Sequence, residues 1–203
     1  MISHKNSFTS TNWSACNNII VTVGNKWIHI GISEIVIIKI IATWIIGRWE
    51  IGNDGVIYTG SRRSGKAHAL VDRNGDYKAD QTLLIAEGLE LPSGVAYRDG
   101  DLFVAAVSTI YRFQDIDNHL ENPPAPEIVL DDLLTETHHG WKHIEFGPDG
   151  YLYVPVGAPC NICDPVEPFA TILKIDVDNP KDRQVVARGV RNSVGFDWDP
   201  ATG

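Results

Sequence analysis

The chain has 203 residues, 43% of them hydrophobic and 9% aromatic, with 17 basic against 26 acidic side chains and a formal charge of −9. That length buries one sizeable core, and the supply of apolar and aromatic side chains excludes collagen-like, coiled-coil and fully disordered chains. The acidic balance excludes a polyanion-binding surface, so no nucleic-acid partner is expected, and three cysteines (Cys16, Cys160 and Cys163) are too few for a disulfide framework.

Composition changes sharply near residue 50. Residues 1–50 contain no Pro, Asp or Leu but hold 13 Ile and four of the six Trp. Four basic and two acidic residues give them +2, and the remainder carries −11. Such a step marks a domain or processing boundary, so residues 1–49 are read as an atypical Ile-rich segment and 50–203 as the functional domain. The run Trp27–Gly47 is long enough to span a bilayer. It carries His29, Glu34 and Lys39, however, and each charge at mid-membrane costs about 2.5–3.5 kcal/mol. A cleavable signal fits no better, because the apolar run starts far from Met1 and the leading residues are barely basic. The remaining reading is that the segment is not native coding sequence. Membrane contact is expected only if residues 27–47 belong to the native protein.

From residue 50 one unit recurs: a short apolar strand, an Asp-Gly turn and a second alternating strand. The turns are Asp54-Gly55, Asp99-Gly100 and Asp149-Gly150, 45 and 50 residues apart, and the unit begins again at Phe196. Asp-Gly between alternating apolar runs signals a hairpin, because a type I′ turn needs positive φ at both central residues. Third strands are predicted at 67–72, 109–113 and 171–176, and fourth strands at 82–86, 127–130 and 184–187. Four short strands per unit at this period is the pattern of β-propeller blades; a β-sandwich does not repeat like for like. Residues 50–203 hold about three blades, fewer than the four to eight of a closed ring. The expectation is an all-β propeller fragment.

Several loops carry groups with chemistry. Three of the seven histidines fall in Thr137-His138-His139-Gly140-Trp141-Lys142-His143, and imidazole suits proton transfer near neutral pH. The alternative is a surface run, with His143 opening a strand. Cys160-Asn161-Ile162-Cys163 has no second pair to complete a zinc site and no thioredoxin-like context, which leaves a local disulfide or two thiols bracing a loop. Asp72, Asn74, Asp76 and Asp80 occupy positions 1, 3, 5 and 9 of a calcium-type loop, but Tyr77 stands where that loop has Gly and Leu83 where it has Glu. An acidic turn between two strands is the favoured reading there. Arg191-Asn192 offers a charged fork and an amide to a planar anion, although such pairs are common in turns.

In combination, Val156-Gly-Ala-Pro-Cys-Asn-Ile-Cys163, His138-His-Gly-Trp-Lys142, Phe146-Gly-Pro-Asp-Gly150 and Arg188-Gly-Val-Arg-Asn-Ser-Val-Gly-Phe-Asp-Trp198 resemble the soluble quinoprotein sugar dehydrogenases. Within the glucose/sorbosone dehydrogenase family the L-sorbosone dehydrogenase type is nearest. The resemblance covers residues ~50–203 and none of residues 1–48. It implies a six-bladed propeller that holds pyrroloquinoline quinone (PQQ) over its axis with calcium activating the quinone. It further implies oxidation of an aldose or sugar aldehyde, an external electron acceptor, and a periplasmic or extracellular setting. Counting from Gly147-Pro148-Asp149, the general base falls on His139, with His138 beside it, and the cofactor-binding pair falls on Arg191 and Asn192.

Two departures qualify the resemblance. The carboxylate that backs the histidine in glucose-dehydrogenase members is replaced by Ala158, so His139 should be a weaker base or be oriented by another group. No Gln near Leu89–Ser93 matches one that approaches the cofactor. Calcium ligands and further cofactor contacts are expected beyond Gly203, so the chain as given is expected to be inactive alone. The rival readings are a calcium-dependent gluconolactonase-type hydrolase and a non-catalytic binding scaffold, since fold alone does not fix function.

Overall fold

The structure, a computed structural model, describes residues 18–23, 26–31, 46–76, 78–199 and 201. Strands β1 (Asn18–Val23) and β2 (Lys26–Gly31) pair as an isolated antiparallel hairpin. The spanning-helix reading of Trp27–Gly47 meets strand at both described ends, in β2 and in β3 (Ile46–Ile51), while residues 32–45 lie outside the described residues. Among the described residues no helix is long and apolar enough to cross a membrane.

Three four-stranded antiparallel meanders follow, each in simple chain order. The first is β3, β4 (Ile57–Ser61), β5 (Lys66–Val71) and β6 (Gln81–Ala86). The second is β7 (Gly94–Arg98), β8 (Asp101–Ala105), β9 (Ile110–Phe113) and β10 (Glu127–Leu130). The third is β11 (Glu145–Phe146), β12 (Leu152–Val156), β13 (Thr171–Ile175) and β14 (Arg183–Arg188). First strands pack on first strands, β3 on β7 and β7 on β11, while the fourth strands are the most exposed. That is the arrangement of consecutive propeller blades about an axis. The first blade opens at Ile46, four residues ahead of residue 50, because β3 pairs with β4 as far back as Ile46 opposite Ser61. The fourth unit foreseen at Phe196 forms no strand among the described residues. An innermost strand pairs only with the second strand of its own blade, and Phe196 and Trp198 instead pack their rings against His143 and Tyr153.

Side-chain alternation builds the core. Successive residues of a strand face opposite sides, and β8 is buried on both. Leu102 and Val104 join a cluster with Tyr58, Ala69 and Phe113 between the first two blades. Phe103 and Ala105 join Ile110, Ile144, Leu152 and Ile175 between the second and third. The turns differ in kind. Asp54-Gly55 and Asp99-Gly100 take positive φ at both residues, as the I′ expectation requires, whereas at Asp149-Gly150 only Gly150 does. Pro148 explains the difference, since its ring fixes φ near −65° and favours a type I turn closed by a left-handed glycine. The Gly150 amide donates to the Gly147 carbonyl across it.

An up-and-down meander sends its connections alternately to two ends. The Asp-Gly turns and the loops between third and fourth strands share one end, and the remaining connections share the other. At the Asp-Gly end polar clasps join neighbouring blades. Asp117 accepts from Tyr58 Oη at 2.9 Å, from Asn53 Nδ2 at 3.0 Å and from Tyr97 Oη. Burial, reinforced by the Asp117 bond, pushes the Tyr97 phenol up to about 12. Arg112 binds Asp101 at 2.7 Å and reaches Asp178 of the third blade at 3.2 Å, and Arg98 donates to the Gly150 carbonyl at 2.7 Å. Truncating Asp117 strands three donors, one of them on the fully buried Tyr58. Asp117→Ala is therefore expected to lower unfolding stability by about 2–4 kcal/mol in urea titrations. The Tyr58→Phe change should cost much less in that background than in the native chain; simple additivity would contradict the clasp.

Candidate functional site

The opposite end gathers the loops that follow second and fourth strands. Residues 62–65 and 157–170 leave second strands, and residues 87–93, 131–144 and 189–195 leave fourth strands. Each class bonds to the other: the Leu89 amide donates to Gly65, Val107 to Glu90, Leu133 to Ser108 and Val190 to Ala170. His139 sits in this ring with φ of 53°, a left-handed conformation uncommon for a side chain with a Cβ. Gly157, directly after β12, makes room for it, since a Cβ there would lie 2.3 Å from the His139 carbonyl oxygen.

His139 Nδ1 lies 2.9 Å from the Ala158 carbonyl oxygen. A carbonyl can only accept, so Nδ1 carries the proton and Nε2 keeps its lone pair. The backbone of Ala158 thus orients the imidazole at the position where the sequence lacked a carboxylate. The same residue's amide donates to the Arg191 carbonyl at 2.8 Å. One buried residue therefore ties the histidine segment to the Arg191 segment. His138 is exposed, its ring 4.1 Å from that of half-buried His139. Arg191 and Asn192 are both exposed; Arg191 Nη1 approaches the Asn161 carbonyl at 3.4 Å and meets no carboxylate at ion-pair distance among the described residues. Cys160 and Cys163 form the local disulfide, Cα atoms 6.1 Å apart, around Asn161. His143 belongs elsewhere, pairing with Glu145 at 3.2 Å and packing on Phe196.

The acidic loop of Asp72, Asn74, Asp76 and Asp80 joins β5 to β6, and so lies at the Asp-Gly end, away from His139 and Arg191. Its oxygens accept from the loop's own backbone: Asp72 from Gly75 N, Asn74 from Asp76 N, Asp76 from Lys78 N and Asp80 from Arg73 N, each at 2.8–2.9 Å. The first three are Asx-type turn bonds, and the fourth closes the loop across seven residues. Among the described residues no group of three or more His, Cys, Asp or Glu is placed to hold a metal ion.

A family model described as a domain of unknown function (DUF7133) matches residues 46–193. The chain belongs to that family. An uncharacterized protein of Borreliella burgdorferi is 29% identical over 126 residues, which cover 57% of the DUF7133 chain and 33% of the relative. The fold is similar to the holo form of the pyranose dehydrogenase PQQ domain from Coprinopsis cinerea, with TM-score 0.62, 13% identity, and coverage of 74% of this chain and 40% of that one. It is also similar to the PQQ-bound aldose sugar dehydrogenase from Streptomyces coelicolor, with TM-score 0.50, 18% identity, and coverage of 64% and 44%. The DUF7133 chain thus spans less than half the length of each.

Sequence reasoning missed the buried polar residues beneath this ring. Lys142 is 4% exposed. Its amide donates to Ser93 Oγ at 3.0 Å, and its ammonium meets no carboxylate at ion-pair distance among the described residues. The one available signal was its place in sequence, directly ahead of a buried strand entrance at Ile144. Burial pulls its ammonium down from 10.5 to about 8, against a small opposing pull from Glu136. The unfolded chain then binds more protons than the folded one between those values, so this group's penalty is complete below about pH 8 and disappears above 10.5. Lys142→Met is therefore expected to stabilise the DUF7133 chain by about 2–3 kcal/mol at pH 7. The gain should fade as pH rises toward 10.5, and parallel stability profiles for the two proteins would contradict this account.

Proposed function

We propose that this end of the propeller binds PQQ and that His139 serves as general base in oxidising an aldose or a sugar aldehyde of the sorbosone type. The observation that carries the reading is the oriented imidazole, with Nδ1–H on the Ala158 carbonyl and a free Nε2 lone pair, on a fold similar to two PQQ-binding sugar dehydrogenase structures.

The residues present fit a planar polycarboxylate. Arg191 offers an exposed guanidinium that no carboxylate of the described residues neutralises, Asn192 adds an amide beside it, and His138 adds a ring next to the base. When bound, the quinone supplies the two-electron acceptor for the sugar's hydride. His139 Nε2 takes the proton from the sugar hydroxyl. The Ala158 carbonyl holds the ring on Nδ1, so the proton arrives at Nε2 without a change of tautomer. The Ala158 amide keeps the Arg191 segment in register with that ring.

Calcium has no comparable support. Its candidate ligands, Asp72, Asn74, Asp76 and Asp80, lie at the other end and cap their own turn, so no step is assigned to the metal. A gluconolactonase-type hydrolase needs a carboxylate-held metal at the loop end, and no such group gathers among the described residues. We extend the proposal to an external electron acceptor and a periplasmic or extracellular setting on the resemblance alone.

PQQ titration followed by absorbance, then addition of sugar, tests the reading. Arg191→Ala is expected to weaken PQQ binding about tenfold or more. In a chain extended through the remaining blades, His139→Asn should bind PQQ as its native counterpart does but reduce it with sugar about 10²–10⁴-fold more slowly, the contribution of a general base. Absence of PQQ binding by the native extended chain would overturn the proposal.

A further inference from the structure

The loop end carries a buried hydroxyl, Ser61 Oγ, without a hydrogen-bond partner among the described residues, and a buried lysine, Lys142, that meets no carboxylate at ion-pair distance among them; neither the proposed base nor the proposed Arg191-Asn192 pair accounts for these. Arg62 stacks its guanidinium 4.8 Å from the centre of the Trp141 ring, which brings residues 61–62 of the first blade against residues 141–142 ahead of the third. Ser93 joins them through the bond from the Lys142 amide to its Oγ. Close backbone approach seals the corner: a Cβ on Gly94 would lie 2.5 Å from the Lys142 carbonyl oxygen, and one on Gly60 would lie 3.0 Å from that of Pro92.

Three polar side chains are buried here: Ser61 at 5%, Ser93 at 2% and Lys142 at 4% exposure. Ser61 Oγ has no hydrogen-bond partner among the described residues. Ser93 Oγ already accepts from Lys142 N, which leaves its hydroxyl proton to donate. Lys142 is a buried cation with no ion-pair partner among the described residues, and Arg62 adds a second positive charge at the rim. A buried charge without a partner is strongly unfavourable. A buried lysine in a corner that also holds an unpartnered hydroxyl makes sense where the counter-charge arrives with a ligand.

We propose that Lys142, with the hydroxyl of Ser93 and the guanidinium of Arg62, binds a carboxylate group of a ligand. Only Lys142 of the two cations is buried, so the charge to be balanced inside the low-dielectric corner is that of a monoanion such as a carboxylate. The inference rests on the quinone reading only for which molecule carries the carboxylate.

Two planar tricarboxylates separate the questions: PQQ, and benzene-1,3,5-tricarboxylate, which has no quinone. Calorimetric titration of the 203-residue chain at constant ionic strength is expected to show both binding, and Lys142→Met is expected to weaken both at least tenfold while remaining folded by circular dichroism. Ser93→Ala should weaken both by a smaller factor, and Lys142→Arg should recover part of the lost affinity. Binding of either compound to Lys142→Met with native affinity overturns the proposal, as does binding of neither to the native chain. Binding of benzene-1,3,5-tricarboxylate alone, lost in Lys142→Met, supports the carboxylate site and overturns the quinone reading. Binding of PQQ alone with native affinity in Lys142→Met does the reverse.

Discussion

A single peptide unit on either side of Ala158 joins the two halves of the candidate site. Its carbonyl fixes the tautomer of His139, and its amide holds the segment that carries Arg191 and Asn192. The arrangement depends on Gly157, where any Cβ would collide with the His139 backbone, and on the left-handed turn that the His139-Gly140 pair allows. A backbone carbonyl orients an imidazole as firmly as a carboxylate but stabilises its protonated form less, because it carries only a partial charge.

The meander places the clasps between blades and the candidate site at opposite ends. Acidic residues concentrate at the Asp-Gly end, where they bind neighbouring blades together: Asp117 to Tyr58 and Asn53, and Asp101 and Asp178 to Arg112. The formal charge of −9 is therefore in good part a property of turns and clasps. At the other end Arg62, Lys142 and Arg191 meet no carboxylate at ion-pair distance among the described residues.

The blade pattern was legible in the sequence because its signals are local. Asp-Gly turns, alternation and β-branched runs placed the third strands at 67–72, 109–113 and 171–176 against 66–71, 110–113 and 171–175 in the structure. Boundaries failed where composition and pairing disagree. Ile46 belongs compositionally with the Ile-rich segment but pairs with Ser61. The turn at Asp149-Gly150 departs from the I′ form because Pro148 precedes it, a local rule that the Asp-Gly signal outweighed in the reading. The candidate site was legible only as residue types. That His139 and Arg191 meet through Ala158 depends on a backbone bond between residues 33 positions apart, and no side chain at 158 advertises it. Lys142 closes the His138–Lys142 motif, but its residue type does not announce burial, which follows from Gly94 and Ser93 of the preceding blade closing over its backbone.

In the structure the Ala158 carbonyl accepts from Nδ1 of His139, which leaves the ring's lone pair on Nε2. Long-range ¹H–¹⁵N correlation spectra of the imidazole, recorded above the histidine titration range, report which nitrogen carries the proton. The account predicts the Nδ1–H form for His139, and conversion to a mixture of tautomers in Gly157→Ala, where the carbonyl can no longer meet the ring. An Nε2–H tautomer in the native chain would contradict it.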